Sequence, residues 1–177
     1  PYRIKLTSNY LNSAISSFIS DRVLVVNEQK SSFGAGWGID GLGKLNFNSD
    51  GSVVFTDGNG TAITFSGGPN VFTSPPGDFS SLVKNPDGTF TRSFKDGTRI
   101  IFNAQGLQSS VIDRNGNTTS YSYDGNGRLV SITDPAGLVT SFAYTGNLLS
   151  SITDPAGRAT SFQYAAAGNL TKVTFPD

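Results

Sequence analysis

The stretch Asp134-Pro135-Ala136-Gly137-Leu138-Val139-Thr140-Ser141-Phe142-Ala143-Tyr144 joins a turn to a strand, and its reading decides the fold. Proline presets φ for the second turn position, the aspartate side chain can bond its own turn, and glycine accepts a positive φ without a Cβ clash. After the glycine, Thr140, Phe142 and Tyr144 alternate with small residues. That is the period of two expected of a strand carrying β-branched and aromatic side chains.

The same unit recurs on both sides. Asp113-Arg114-Asn115-Gly116 leads into Thr119, Tyr121 and Tyr123, and Asp154-Pro155-Ala156-Gly157 leads into Thr160, Phe162 and Tyr164. The offset is 21 residues from Asp113 to Asp134 and 20 from Asp134 to Asp154. Each unit opens after a glycine turn with a leucine (Leu107, Leu129, Leu149, Leu170). A Val or Ile follows three residues on, except after Leu107, where Val111 and Ile112 come later. Two strands and two turns consume about 20 residues, so the period itself reads as hairpin after hairpin. The last unit, Leu170 to Asp177, is cut off after its first strand.

Weaker copies lie upstream. Asp57-Gly58-Asn59-Gly60 precedes Thr61, Ile63 and Phe65, and Asp96-Gly97 precedes Thr98, Ile100 and Phe102. Asp40, Asp50, Asp57, Asp87, Asp96 and Asp124 each stand directly before a glycine, a strong hairpin signal between alternating strands. Gly67 to Lys84, with Pro69, Pro75, Pro76 and Gly77, reads as a loop or insertion. The first 44 residues differ. Ile15 to Val26 is apolar without a clean period, with Val23 to Val26 expected as a buried strand. Phe33-Gly34-Ala35-Gly36-Trp37-Gly38 reads as a tight crossing in which Trp37 covers a sheet end. The expected organisation is an N-terminal lead-in or cap over residues 1–44, degenerate hairpin repeats over 45–106, and regular repeats over 107–177. The fold class is all-β, a twisted antiparallel sheet of successive hairpins.

Gly127-x-Leu129-x-x-Ile132-x-Asp134-Pro135-x-Gly137-x-x-Thr140-x-Phe142-x-Tyr144 resembles the YD, or Rhs, repeat. The Phe33 to Trp37 run, followed by Asp50-Gly51-Ser52-Val53-Val54-Phe55 and Asp57 to Gly60, is similar to the segment that precedes such repeats in many Rhs-type proteins. The resemblance spans roughly residues 30 to 177. It implies a long β-strip that spirals, often into a hollow shell around a C-terminal toxin polypeptide. Its relatives are secreted toxin carriers, cell-wall proteins and animal adhesion proteins, and carbohydrate binding has been attributed to some repeats. Three to five units are too few to close a shell. Asp134-Pro135-Ala136-Gly137-Leu138 has the letters of a self-cleavage motif in that family, yet an ordinary repeat strand follows it, so it reads as repeat.

Composition narrows the function classes. Lys plus Arg number 13 and Asp plus Glu 13, so no basic excess advertises a nucleic acid or an anionic membrane. Cysteine and histidine are absent, which removes disulfides, thiolate metal sites and any His-based triad. No apolar run approaches the ~20 residues of a membrane-spanning helix. Charged residues make up only 15% of the chain and Gly is abundant, a composition in keeping with a secreted or cell-surface location. The chain begins at Pro1 without Met, and with its open last repeat it reads as a piece of a longer protein.

Candidate sites follow from spacing. Tyr121, Phe142 and Phe162 in one row, and Tyr123, Tyr144 and Tyr164 in the next, share one sheet face. They are expected to form a core, each ring contributing about 1.5–3 kcal/mol on burial. Tyr123, Tyr144, Tyr164 and Trp37 are the candidates for stacking a sugar if the chain is instead a carbohydrate-binding adhesion module. Asn46-x-Asn48-x-Asp50-Gly51, with Asp57 at the twelfth position, imitates a calcium loop, but its flanks are strands and a hairpin turn is the better account. Asp113-x-Asn115-x-Asn117 is read the same way. Asp134 and Asp154 are the paired carboxylates a glycosidase would need, yet both have a turn duty. Arg99, Arg114, Arg128, Arg158 and Lys172 read as a solvated face. No catalytic residue, metal or cofactor is assigned. The expected partners are further repeats of the same chain or another subunit, joined through edge strands, and glycans in the adhesion reading.

Overall fold

The computed structural model describes residues 2–10, 13–21 and 28–176, with side chains from residue 28 onward. β1 (Tyr2–Tyr10) and β2 (Ser13–Asp21) pair antiparallel, from Tyr2 opposite Asp21 to Tyr10 opposite Ser13. A strand therefore occupies most of the stretch for which the sequence offered no clean period. Val23 to Val26 lies outside the described residues.

β3 (Lys44–Phe47), β4 (Val53–Thr56) and β5 (Ala62–Phe65) form a three-stranded antiparallel sheet. The remaining strands run as an eleven-stranded meander in chain order. They are β6 (Val71–Phe72), β7 (Ser81–Lys84), β8 (Phe90–Ser93), β9 (Arg99–Phe102), β10 (Gln108–Ile112) and β11 (Thr118–Tyr123). Then come β12 (Leu129–Thr133), β13 (Val139–Thr145), β14 (Leu148–Thr153), β15 (Ala159–Tyr164) and β16 (Leu170–Thr174). Each pairs antiparallel with its chain neighbours, so the fold is the succession of hairpins that the 20-residue period implies. The Pro/Gly stretch read as a loop over 67–84 in fact contains β6 and β7. Their alternating Phe72 and Leu82 are buried, and this burial outweighs the prolines placed between them.

The corners explain why the glycines recur. In Asp134-Pro135-Ala136-Gly137, the Gly137 amide donates to the Asp134 carbonyl, and the Asp134 amide donates across the corner to the Leu138 carbonyl. Asp134 Oδ1 accepts the amides of Ala136 and Leu138 at 2.9 and 2.8 Å. Gly137 sits at φ +83°, the left-handed region that a Cβ penalises. The same pattern closes Asp57–Thr61, Asp113–Asn117, Asp124–Arg128 and Asp154–Arg158. Asp50, Asp87 and Asp96 sit one residue before the left-handed glycine instead, and each accepts the amide of the residue just after that glycine. Asp-Gly pairs therefore mark these corners in two registers.

A second device sits inside each repeat. Leu129 and Ile132 are three residues apart, which in a regular strand would turn them to opposite faces. The ladder shifts register between Ser122 and Tyr123 on β11, where Ser122 faces Ser131 and Tyr123 faces Leu129, so Val130 is an extra, bulged residue. Ser109, Ser150 and Thr171 occupy the same bulge in β10, β14 and β16. Each bulge returns the leucine position and the following Ile or Val to one face.

That face is covered in two parts. Over β6–β9 lies the three-stranded sheet. Leu45, Val53, Phe55 and Phe65 close on Phe72, Leu82, Phe90 and Phe102 as one core cluster. Over β11–β15 lies the segment 28–43, whose Phe33, Ile39 and Leu42 pack against Leu129, Phe142 and Leu149. The opposite face of the repeats shows Ser120, Ser122, Ser141, Ala143 and Ser161 to solvent.

Candidate functional site

The candidate surface is the aromatic ladder and what lies on it. Phe142 is 8% exposed, and Tyr121, Tyr123, Tyr144, Ile132, Ile152 and Phe162 pack around it and its two leucines. Phe142 and Phe162 therefore share the core face, as the period of two requires. The tyrosines are half-buried, and each hydroxyl has a partner. Tyr123 donates to the Gln108 carbonyl at 2.8 Å and Tyr144 to the Leu129 carbonyl at 2.7 Å. In both cases the acceptor stands 15 residues earlier, at the first position of the preceding strand. Tyr164 breaks the rule and donates to the Phe33 carbonyl at 3.2 Å. Loss of water around these phenols pushes their ionisation up. Tyr144 is pushed up to about 12, and Tyr123 is raised further, with the neighbouring tyrosines adding to burial.

The leucine position of the first repeat is not Leu107. Phe102 pairs with Gln108, as Tyr123 pairs with Leu129 and Tyr144 with Leu149. Val111 then falls three residues after Gln108, which removes the irregularity the sequence displayed. Gln108 is fully buried. Its Oε1 accepts the Gly43 amide at 2.8 Å and its Nε2 donates to the Gly41 carbonyl at 3.0 Å. The signal for it was the failed spacing after Leu107.

Segment 28–43 crosses the repeats as a strap. From the Gly41–Gly43 clamp it reaches the third repeat, where the Leu149 amide donates to the Ser32 carbonyl at 2.7 Å and the Ala35 amide to the Gly168 carbonyl at 2.9 Å. Gly34, at φ +110°, lies so close to Tyr164 that an added Cβ would stand 2.9 Å from the ring. Trp37 does not cover a sheet end. It is 55% exposed, and the covering is done by Phe33, Ile39 and Leu42.

The basic residues are less uniform than expected. Arg99, Arg114, Arg158 and Lys172 are exposed. Arg128 is not part of a solvated face: it pairs with Asp124 at 2.6 Å, lies 4.8 Å from the centre of the Tyr144 ring and donates to the Gly146 carbonyl. Arg92 went unnoticed in the sequence, although its place two residues after Phe90 puts it on the core face. It is buried, bonded to Asp78 at 2.9 Å and to Ser80 at 2.9 Å, with its guanidinium 4.4 Å from the Phe55 ring centre.

The carboxylates considered for chemistry have structural work. Asp154 accepts the amides of Ala156 and Arg158 and pairs with the Arg158 side chain, and these hydrogen bonds hold its carboxyl below the usual range. Asp113 is held down in the same way, chiefly by the Asn117 side chain. The Asn46–Asp50 stretch is the β3–β4 hairpin, with Asp50 bonded to Ser52. Among the described residues no group of three or more acidic, His or Cys side chains gathers to hold a metal. A cleft of about 430 Å³ lies between the strap and the first corners, with Lys30, Leu42, Tyr123, Asn126 and Asn147 among its walls.

A family model described as RHS Repeat matches residues 102–139, 123–149 and 144–177. No curated protein matches the chain. Among the described residues no helix is long and apolar enough to cross a membrane.

Proposed function

We propose that this chain, whose residues 102–177 match the RHS repeat, a structural repeat family, forms part of the wall of a secreted or cell-surface shell, stalk or filament. The observation that carries this reading is the ladder itself. Successive hairpins repeat one set of contacts, and each strand completes the burial of the one before it. Such an array gains stability from neighbours more than from any single unit. Within it residues 1–44 serve as the cap.

β16 carries the same leucine and bulge as β12 and β14, with Val173 in place of their Ile132 and Ile152, yet among the described residues it has β15 as its one neighbour. An open strand edge accepts another strand. The next strand comes from further repeats of the same chain or from another subunit. The test is sedimentation equilibrium of the 177-residue chain by analytical ultracentrifugation, beside a version extended by one more hairpin unit and a version with Thr174→Lys. The wall reading expects concentration-dependent association of the parent chain, weakened by the edge lysine, and a rise in stability with the added unit. A strictly monomeric chain that gains nothing from the extra hairpin contradicts it.

A second reading, a carbohydrate-binding adhesion module, is favoured by one observation, the exposed indole of Trp37. The ladder tyrosines would contribute only ring edges, since their hydroxyls are engaged. Glycan-array binding lost on Trp37→Ala with the fold retained supports that reading, and unchanged binding removes the indole from it.

A further inference from the structure

Every repeat but the first places leucine at the start of its inner strand: Leu129, Leu149 and Leu170. The first places Gln108, whose amide bonds the strap at Gly43 and at Gly41 and also meets the Tyr121 hydroxyl. A second departure lies at the other end of the strap. The β13–β14 corner is the two-residue turn Gly146-Asn147, with Thr145 opposite Leu148, one residue shorter than the Asp124 corner. This accounts for the offset of 20 instead of 21. There the Leu149 amide meets the Ser32 carbonyl. Both irregularities of the repeat are thus places where the strap is held.

We propose that residues 28–43 are a releasable strap whose seat on the ladder is selected by Gln108. The other repeats do without the amide and fill that position with leucine. The strap depends on it, because the buried Gly43 amide and the Gly41 carbonyl both have their partner there. At the far end the Tyr164 bond has a replacement within the sheet. Tyr164 bonds the Phe33 carbonyl, whereas Tyr123 and Tyr144 bond the carbonyl 15 residues earlier. For Tyr164 that position is Leu149. With the strap lifted, the hydroxyl has the same in-sheet acceptor its counterparts use, and the face of Leu129, Phe142 and Leu149 is uncovered. This inference goes beyond the wall function and does not depend on whether the ladder continues past β16.

Hydrogen exchange by mass spectrometry on the full chain tests it with Gln108→Leu, which installs the residue of the other repeats, and with Gly34→Ala, which obstructs the strap against Tyr164. In Gln108→Leu the amides of residues 28–43 and of Leu149 are expected to exchange faster by about tenfold or more, the consequence of losing the bonds to Gly43 and Gly41. The strands β11–β13 keep their protection. Gly34→Ala is expected to free the same amides. A strap that stays protected in Gln108→Leu overturns the proposal. So does a Gln108→Leu sheet that loses protection together with the strap, since Gln108 would then be part of the core and not a selector.

Discussion

The hydroxyl of Tyr164 donates to the carbonyl of Phe33, 131 residues earlier in the chain. Its counterparts Tyr123 and Tyr144 reach back 15 residues each, within their own ladder. The comparison separates two kinds of bond made by one residue type, and it makes the tyrosines the first place to test the structure.

Tyr144→Phe leaves the Leu129 carbonyl without its partner on a covered face. A loss of about 1–2 kcal/mol in urea unfolding is expected, the usual cost of an unmet buried acceptor. Tyr164→Phe removes a longer bond to the strap and is expected to cost less. An equal loss in both, or none in Tyr144→Phe, contradicts the assignment.

Alkaline titration reads the same residues. A phenol whose ionisation is raised in the folded state favours folding in its protonated form. Its contribution is whole below the unfolded value of about 10 and is lost as pH climbs through the folded value, about 12 for Tyr144. Stability is expected to hold up to about pH 10 and then decline. Tyrosinate absorbance should develop in two stages, with the Tyr144→Phe variant losing amplitude in the later one.

The acid side has the opposite sign. The carboxyls of Asp113, Asp124 and Asp154 are held below their ordinary value by turn hydrogen bonds. Their contribution is present above the unfolded value of about 3.9 and disappears as pH falls through the lower folded values. Asp154→Asn is expected to flatten part of the acid limb of the stability curve. An acid limb that is unchanged in the triple Asp113, Asp124 and Asp154→Asn variant contradicts this account.

The bulges give a sharper contrast. Deleting Val130 forces Leu129 and Ile132 to opposite faces, because a one-residue slip inverts a strand. The deletion is expected to cost several kcal/mol or abolish folding, comparable to emptying a core position. Val130→Ser keeps the count and is expected to cost less than about 1 kcal/mol. Thermal unfolding followed by circular dichroism distinguishes the two.

Much of this was legible in the chain. Asp134-Pro135-Ala136-Gly137 and its copies named the corners, and Thr140, Phe142 and Tyr144 named the core face, because turn chemistry and a period of two are local properties. The bulge was visible only as a Leu-to-Ile spacing of three that conflicts with that period. Gln108 was hidden behind Leu107, since a repeat pattern invites the eye to the leucine one residue away. The glycine-rich run from Phe33 to Gly38 reads as a crossing, but the places where the strap is held were not legible. Its bonds run from backbone amides and carbonyls of Ser32, Phe33 and Ala35 to residues more than a hundred positions later, and backbone groups leave no signature in side-chain spacing. Arg92 is legible only by parity: two residues after Phe90, it falls on the face of the rings.

Replacing Arg92 follows from that placement. Arg92→Ala leaves the Asp78 carboxylate and Ser80 without their buried partner, and a loss of about 3–5 kcal/mol is expected. Arg99→Ala, on the exposed side of the neighbouring strand, is expected to change stability by less than about 0.5 kcal/mol. Similar losses at both positions in chemical denaturation argue against a buried guanidinium.

The central claim, a ladder of hairpins whose inner residues all meet one face, is tested most directly by nuclear Overhauser effects between side chains of adjacent strands. Tyr121 is predicted to contact Ile132, Phe142 to contact Ile152, and Phe162 to contact Val173, following the observed register. Contacts that turn Phe142 toward Ser131 and Ser151, away from the side that holds Phe162, would contradict it.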